Sequence, residues 1–226
     1  MFKKILSTTV LSVSALAAMT ANAAAPGVYV TGQVGYADTN MASKTNVFNL
    51  AGNLIDVHNR DQNLSNNGLA GRVAIGYQFN QNFAVEAGYL QLGEEKLNLG
   101  LVHAKQAPLS GEGIMKLQQN VIDFAGKGIL PITNNINVYG KLGVAYITSD
   151  IKGILRTPGQ PKADFNFNDQ ANVAQHKWAP EAAIGVSYDI TPNVSLDASL
   201  THIQPLGSNK PGNIDFAALG VGYNFG

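Results

Sequence analysis

The chain has 226 residues, 15 basic and 15 acidic side chains and no cysteine. That composition excludes disulfides, thiol catalysis, cysteine-based metal sites and a lipidated amino terminus. It also offers no electrostatic case for nucleic-acid binding.

The first segment reads as a secretory signal. Lys3 and Lys4 form a basic start, Ile5 to Thr20 carries no charge, and Ala21-Asn22-Ala23 fits small-x-small cleavage. Residues 1–23 are therefore expected to be removed, leaving a single domain over 24–226. Without Lys3 and Lys4 the mature chain holds 13 basic against 15 acidic residues. No later stretch approaches the length of an apolar membrane helix, so any membrane residence must come from a closed sheet.

Eight strands are predicted in chain order. The first, Val28 to Ala37, sets Val28, Val30, Val34 and Tyr36 on one face and Tyr29, Thr31 and Gln33 on the other. The second, Leu69 to Phe79, points Leu69, Val73, Ile75 and Tyr77 outward and Arg72 and Gln78 inward. The third, Phe83 to Leu92, points Val85 and Tyr89 outward and Glu86 inward. The fourth, Leu117 to Leu130, has Ile122 and Phe124 outward and Asp123 and Lys127 inward. Gln118, Gln119 and Asn120 blur its alternation. The fifth, Ile136 to Thr148, places Lys141 inward. The sixth, Lys177 to Ile190, places Glu181 and Asp189 inward. The seventh, Val194 to Ile203, places Asp197 inward, and the eighth runs from Ile214 to Phe225.

A soluble sandwich alternates too, but with its apolar face inward. Three features favour a membrane barrel instead. The strands have about the ten residues of a tilted bilayer crossing. Tyr36, Tyr77, Phe79, Phe83, Tyr188, Tyr223 and Phe225 fall near strand ends, as an interfacial belt requires. The connections also alternate between short turns (80–82, 131–135, 191–193) and long loops (38–67, 94–116, 149–175, 204–212), the outer-membrane pattern with long loops outside the cell and both termini periplasmic.

Gly76-Tyr77-Gln78-Phe79 through Val85-Glu86-Ala87-Gly88-Tyr89, Lys127 through Pro131-Ile132-Thr133, Val138-Tyr139-Gly140-Lys141-Leu142-Gly143, Gly185-Val186-Ser187-Tyr188-Asp189-Ile190-Thr191-Pro192 and Leu219-Gly220-Val221-Gly222-Tyr223-Asn224-Phe225 carry a resemblance. In order and spacing the chain resembles the OmpA-like transmembrane domain, an eight-stranded antiparallel up-and-down barrel. The resemblance implies a lumen charge cluster that gates the barrel, and three positions match it: Glu86, Lys127 and Lys141. Two depart: Ser187 stands where the family has an acid and Asp197 where it has an arginine. It also implies delivery by the barrel-assembly machinery. The periplasmic domain of longer relatives does not follow the barrel here, so cell-wall tethering is not expected.

Candidate sites follow from the faces. The lumen cluster comprises Arg72, Glu86, Asp123, Lys127, Lys141, Glu181 and Asp197, read either as an ion path or as a packed polar interior. Eight strands leave room only for side chains, and both signs are present, which favours pairing. No catalytic or metal site is expected. His58 and His103 lie in loops, and His202 alternates away from Asp197 and Ser199. The glycines inside strands are read as easing close packing. In the first long loop, Phe48, Leu50, Leu54 and Ile55 form an apolar run suited to surface contact.

The expected role is a monomeric, cofactor-free, non-enzymatic outer-membrane barrel. It contacts membrane lipid and lipopolysaccharide, with a host or cell-surface ligand on its loops. A narrow channel, an opacity-type adhesin and a lipid-modifying enzyme are the alternatives.

Overall fold

The computed structural model describes residues 26–40, 48–50, 53–56, 65–104, 110–156, 163–166, 176–207 and 212–226. The proposed signal segment and His58 lie outside the described residues. Twelve strands form among them: β1 (Gly27–Asn40), β2 (Phe48–Leu50), β3 (Asn53–Asp56), β4 (Ser65–Gln78), β5 (Phe83–Leu92), β6 (Glu95–Ala104), β7 (Ser110–Pro131), β8 (Ile136–Arg156), β9 (Ala163–Asn166), β10 (His176–Asp189), β11 (Val194–Ile203) and β12 (Asn213–Asn224).

Eight of these close into a ring in the order β1-β4-β5-β7-β8-β10-β11-β12, with β12 returning to β1. Every pairing is antiparallel, and closure leaves the barrel without an edge. The eight predicted strands are these eight.

The apolar face points outward. Val34, Leu69 and Leu142 expose 72%, 80% and 75% of their surface, while the alternate positions are buried. That orientation inverts a soluble sandwich and suits a hydrocarbon surround. The fourth strand keeps its alternation through Gln118 to Asn120, because β7 and β8 pair without a shift from Glu112↔Arg156 to Pro131↔Asn137.

The three short turns and both barrel termini lie at one end. Asn80, Thr133 and Thr191 stabilise the turns by accepting backbone N–H bonds, for example from Phe83 to Asn80 Oδ1 at 2.9 Å and from Ile136 to Thr133 Oγ1 at 3.0 Å. Such side-chain acceptors are a local reason for a tight turn.

At the other end the structure departs from expectation. Ser110 to Lys116 and Ser149 to Arg156 are not loop; they continue β7 and β8 beyond the barrel wall. There β6 joins β7, β3 joins β6, β2 joins β3, and β9 joins β8. Described parts of the first three long connections therefore form an open sheet, β2-β3-β6-β7-β8-β9. Chain length misled here, because strand pairing can continue past a membrane boundary whenever both partners run on in register.

A charged lumen layer beneath an apolar seal

The inward side chains are set by strand alternation, and they stack in layers along the barrel axis. The middle layer is ionic. Arg72 of β4 contacts Glu86 of β5 at 2.8 Å and Asp123 of β7 at 2.5 Å. Lys141 of β8 reaches the same Glu86 Oε1 at 2.6 Å. The phenol of Tyr29 donates to Glu86 Oε2 at 3.0 Å. One carboxylate thus accepts from two cations and a hydroxyl, and Glu86 is only 1% exposed. A buried ion with this many partners is electrostatically tolerable; a lone one is not.

A second network adjoins it. Gln33 donates to Asp197 Oδ1 at 2.5 Å and to Ser199 at 3.0 Å, and its Oε1 accepts from Arg72 at 3.2 Å. Tyr139 donates to Asp197 Oδ2 at 2.6 Å. Gln33 therefore joins the Arg72 hub to Asp197. Lys127 sits differently from its sequence neighbours. Among the described residues it makes no ion pair; its ammonium lies 4.0 Å from the Tyr139 ring centroid and 5.5 Å from that of Tyr29. Glu181 is buried too, and its Oε2 has no hydrogen-bond partner among the described residues.

So Arg72, Glu86, Asp123 and Lys141 form one cluster. Asp197 attaches through Gln33, Lys127 stacks on aromatic rings, and Glu181 stands beside the cluster rather than within its bonds. Tyr29, Gln33, Tyr139 and Ser199 were missed as site residues. Their signal was available: each sits at an inward position of its strand.

Two of these tyrosines explain two strand glycines. Tyr29 lies opposite Gly76, and Tyr139 lies opposite Gly185. At either glycine an added Cβ would collide with the facing ring. The rings lie across the lumen only because those positions lack side chains.

Toward the turn end, Gln78, Lys127, Asn137, Ser187, Asp189 and Asn224 border a polar cavity of about 70 Å³. Above the ionic layer the lumen holds an apolar layer, which corrects the expectation of a polar interior throughout; farther toward the loop end buried Thr39, Gln119 and Ser149 follow it, with Gln119 donating to Ser149 at 3.1 Å. Leu90, Val121, Ile147, Ile203, Ile214 and Phe216 are each 1% exposed or less and form one cluster with Ala37, Leu92, Ala145 and Ala179. All stand at inward positions. The sequence pattern hid them because charges drew attention to the same face.

His202 faces outward, away from Asp197 and Ser199, as its alternation requires. Its Nδ1 meets Asp215 at 2.6 Å, a partner supplied by β12. Among the described residues no three metal-ligating side chains converge. In the first long connection, Phe48 lies opposite Ile55, Asn49 opposite Leu54 and Leu50 opposite Asn53. The four apolar candidates thus belong to one short hairpin.

Comparison with known proteins places this architecture. The sequence profile of the OmpA-like transmembrane domain matches residues 23–226. An uncharacterised protein of Coxiella burnetii is 29% identical over 216 residues, covering 90% of this chain and 87% of that one. Among solved structures, the outer membrane protein OprG from Pseudomonas aeruginosa is similar in fold, with 15% identity, a TM-score of 0.50, and coverage of 91% of this chain and 99% of that chain. Neisserial surface protein A shows 18% identity and a TM-score of 0.47, covering 88% of this chain and 97% of its own. With its closed eight-stranded ring, outward apolar face and matched profile, this chain belongs to the OmpA-like transmembrane domain family of bacterial outer-membrane barrels.

Proposed function

We propose that the protein is a sealed outer-membrane scaffold that presents a sheet outside the cell, with a structural and surface-contact role. The observation that carries this reading is the lumen seal. A dry layer built from Leu90, Val121, Ile147, Ile203, Ile214 and Phe216 stands directly above a saturated ionic layer. An ion on that route would lose hydration at this layer, where buried Glu181, opposite Ile203, offers a carboxylate but the side chains of the cluster itself are apolar. The lumen charges then serve as a paired interior that holds strands β4, β5, β7 and β8 in register, not as a gate. Contacts with other molecules fall to the sheet beyond the barrel wall, which a rigid scaffold holds in place.

The test is single-channel recording of the refolded, signal-free protein in a planar bilayer, after heat-dependent gel migration has verified folding. A silent bilayer from folded protein is expected. Discrete openings that disappear on Glu86→Gln or Lys127→Gln would replace this reading with the channel one.

A further inference from the structure

Below the ionic layer, register sets two polar rows on opposite walls of the lumen. On one wall, Gln78 of β4 and Lys127 of β7 lie directly opposite Ala84 of β5, one on each side of it. On the other wall, Thr31 of β1 and Ser195 of β11 flank Gly222 of β12 in the same way, and Asp189 of β10 lies opposite Ser195. Each row thus has a small residue between its polar ones. A Cβ added at Gly222 would stand 2.7 Å from Ser195 Oγ and 3.8 Å from Thr31 Oγ1, so both hydroxyls border the space the glycine leaves. The polar members of both rows line the turn-end cavity of about 70 Å³. That is room for several waters or one small oxyanion. Buried Tyr29, Tyr139 and Glu86 close its far side.

These groups lack protein partners. Lys127 has three N–H donors, and among the described residues it makes no hydrogen bond or ion pair, only the ring contacts with Tyr139 and Tyr29. The acids around it are engaged: Glu86 by Arg72, Lys141 and Tyr29, and Asp197 by Gln33 and Tyr139. Gln78 is 7% exposed, and its amide has no protein partner among the described residues. A buried amide in that state costs free energy unless something in the cavity bonds to it. Ammonium, amide and two hydroxyls together form a donor set for an anion.

Asp189 restricts which anion. Its Oδ2 accepts from Asn137 Nδ2 at 2.9 Å, while its Oδ1 has no protein partner among the described residues. A fully ionised anion is repelled there. An oxyanion that carries an O–H instead uses the same carboxylate as an acceptor. Phosphate at neutral pH has bare oxygens for Lys127 and Gln78 and an O–H for Asp189. Sulfate has only bare oxygens.

We infer that this cavity is a blind pocket, entered from the turn end, that binds a small hydroxyl-bearing oxyanion of the phosphate type. Lys127 and Gln78 hold its oxygens, and Asp189 accepts its proton-bearing one.

The test is calorimetric titration of the refolded, signal-free barrel, in a phosphate-free glucoside detergent at neutral pH, with sodium phosphate and with sodium sulfate. Wild type should bind phosphate about tenfold more tightly than sulfate, the scale of one hydrogen bond to a charged group. Lys127→Gln should weaken phosphate by about tenfold or more. Asp189→Asn, whose amide can donate as well as accept, should bring the two anions within about twofold of each other. Gly222→Val should fill the space and abolish binding. Heat-dependent gel migration verifies folding of each variant. No phosphate binding to folded wild type at millimolar concentration means that water alone fills the cavity, and it overturns the proposal. So does sulfate bound as tightly as phosphate by wild type, or undiminished phosphate binding by folded Lys127→Gln. If Lys127→Gln does not fold, Asp189→Asn decides: a phosphate preference as large as that of wild type overturns the proposal.

Discussion

Arg72 and Asp123 meet at two points inside the barrel, Nε to Oδ2 at 3.1 Å and Nη2 to Oδ1 at 2.5 Å, although their strands are not neighbours. Strand β5 runs between β4 and β7, and the residue on β5 opposite Asp123 is Gly88. An added Cβ there would strike the Arg72 guanidinium and lie 2.6 Å from Asp123 Oδ2. The fork-on-carboxylate geometry, the strongest form of this pair, depends on that missing side chain.

Gly88→Ala should therefore destabilise the barrel by about 1–3 kcal/mol through overpacking. Gly128→Ala is the control, since its Cβ would meet nothing nearer than the Gly140 carbonyl oxygen at 4.0 Å. The urea midpoint of refolded protein in micelles should fall for the first and hold for the second. Equal midpoints would show that the pair relaxes without cost.

Glu86→Ala should be the most damaging lumen substitution. It removes the shared acceptor of Arg72, Lys141 and Tyr29 and leaves two cations close together. Removing one partner of a buried pair costs about 3–5 kcal/mol. Denaturant unfolding checks this, and a loss below that of Gly88→Ala would mean the cations find other acceptors.

Phe216→Ala tests the seal. It opens space in the apolar layer and should cost about 3–5 kcal/mol. The bilayer should stay silent even so, because Leu90, Ile203 and Ile214 still line the layer. Conductance from this variant would show that one side chain closes the lumen.

Deleting residues 45–59 should leave insertion and folding unchanged. Among the described residues, strands β2 and β3 pair with each other, and β3 pairs with β6 at Ile55↔Ala104 and Asp56↔His103. Heat-dependent migration should match wild type, whereas any binding to cells through this hairpin should vanish. Loss of folding would make the hairpin part of the barrel's stability.

Cleavage is expected after Ala23. The intact mass of protein extracted from outer membranes should correspond to a chain starting at Ala24. A mass that retains Lys3 and Lys4 would instead mean an anchored amino terminus.

Strand number and the division of each strand into two faces were legible from alternation. A period of two leaves only one choice, which face meets lipid, and the aromatic ends of Tyr77, Tyr188 and Tyr223 decide it. Even β7, where Gln118 to Asn120 blur the pattern, kept the facing assigned to Asp123 and Lys127. The inward charges were named from the same rule.

Contacts among those charges were not legible. Alternation says that Lys127 and Lys141 both face the lumen; it does not say that one joins Glu86 and the other lies over Tyr139. That choice depends on stagger between strands, which pairs residues distant in sequence by their height along the axis. The apolar seal escaped for the same reason. Leu90, Ile147 and Phe216 are scattered over β5, β8 and β12, and only closure of the sheet stacks them at one level. The loop-end sheet was legible only in part: Leu97 to Lys105 alternates weakly, as an extended hairpin would, but the long polar connections otherwise read as loop until register extends β7 and β8 past the membrane. By itself, then, the sequence determined the eight barrel strands and their two faces, through local periodicity, and the membrane setting, through aromatic strand ends, strand length and alternating connection length. Closure and register alone decided which charges pair and where the lumen is dry, because those depend on the relative heights of residues far apart in the chain.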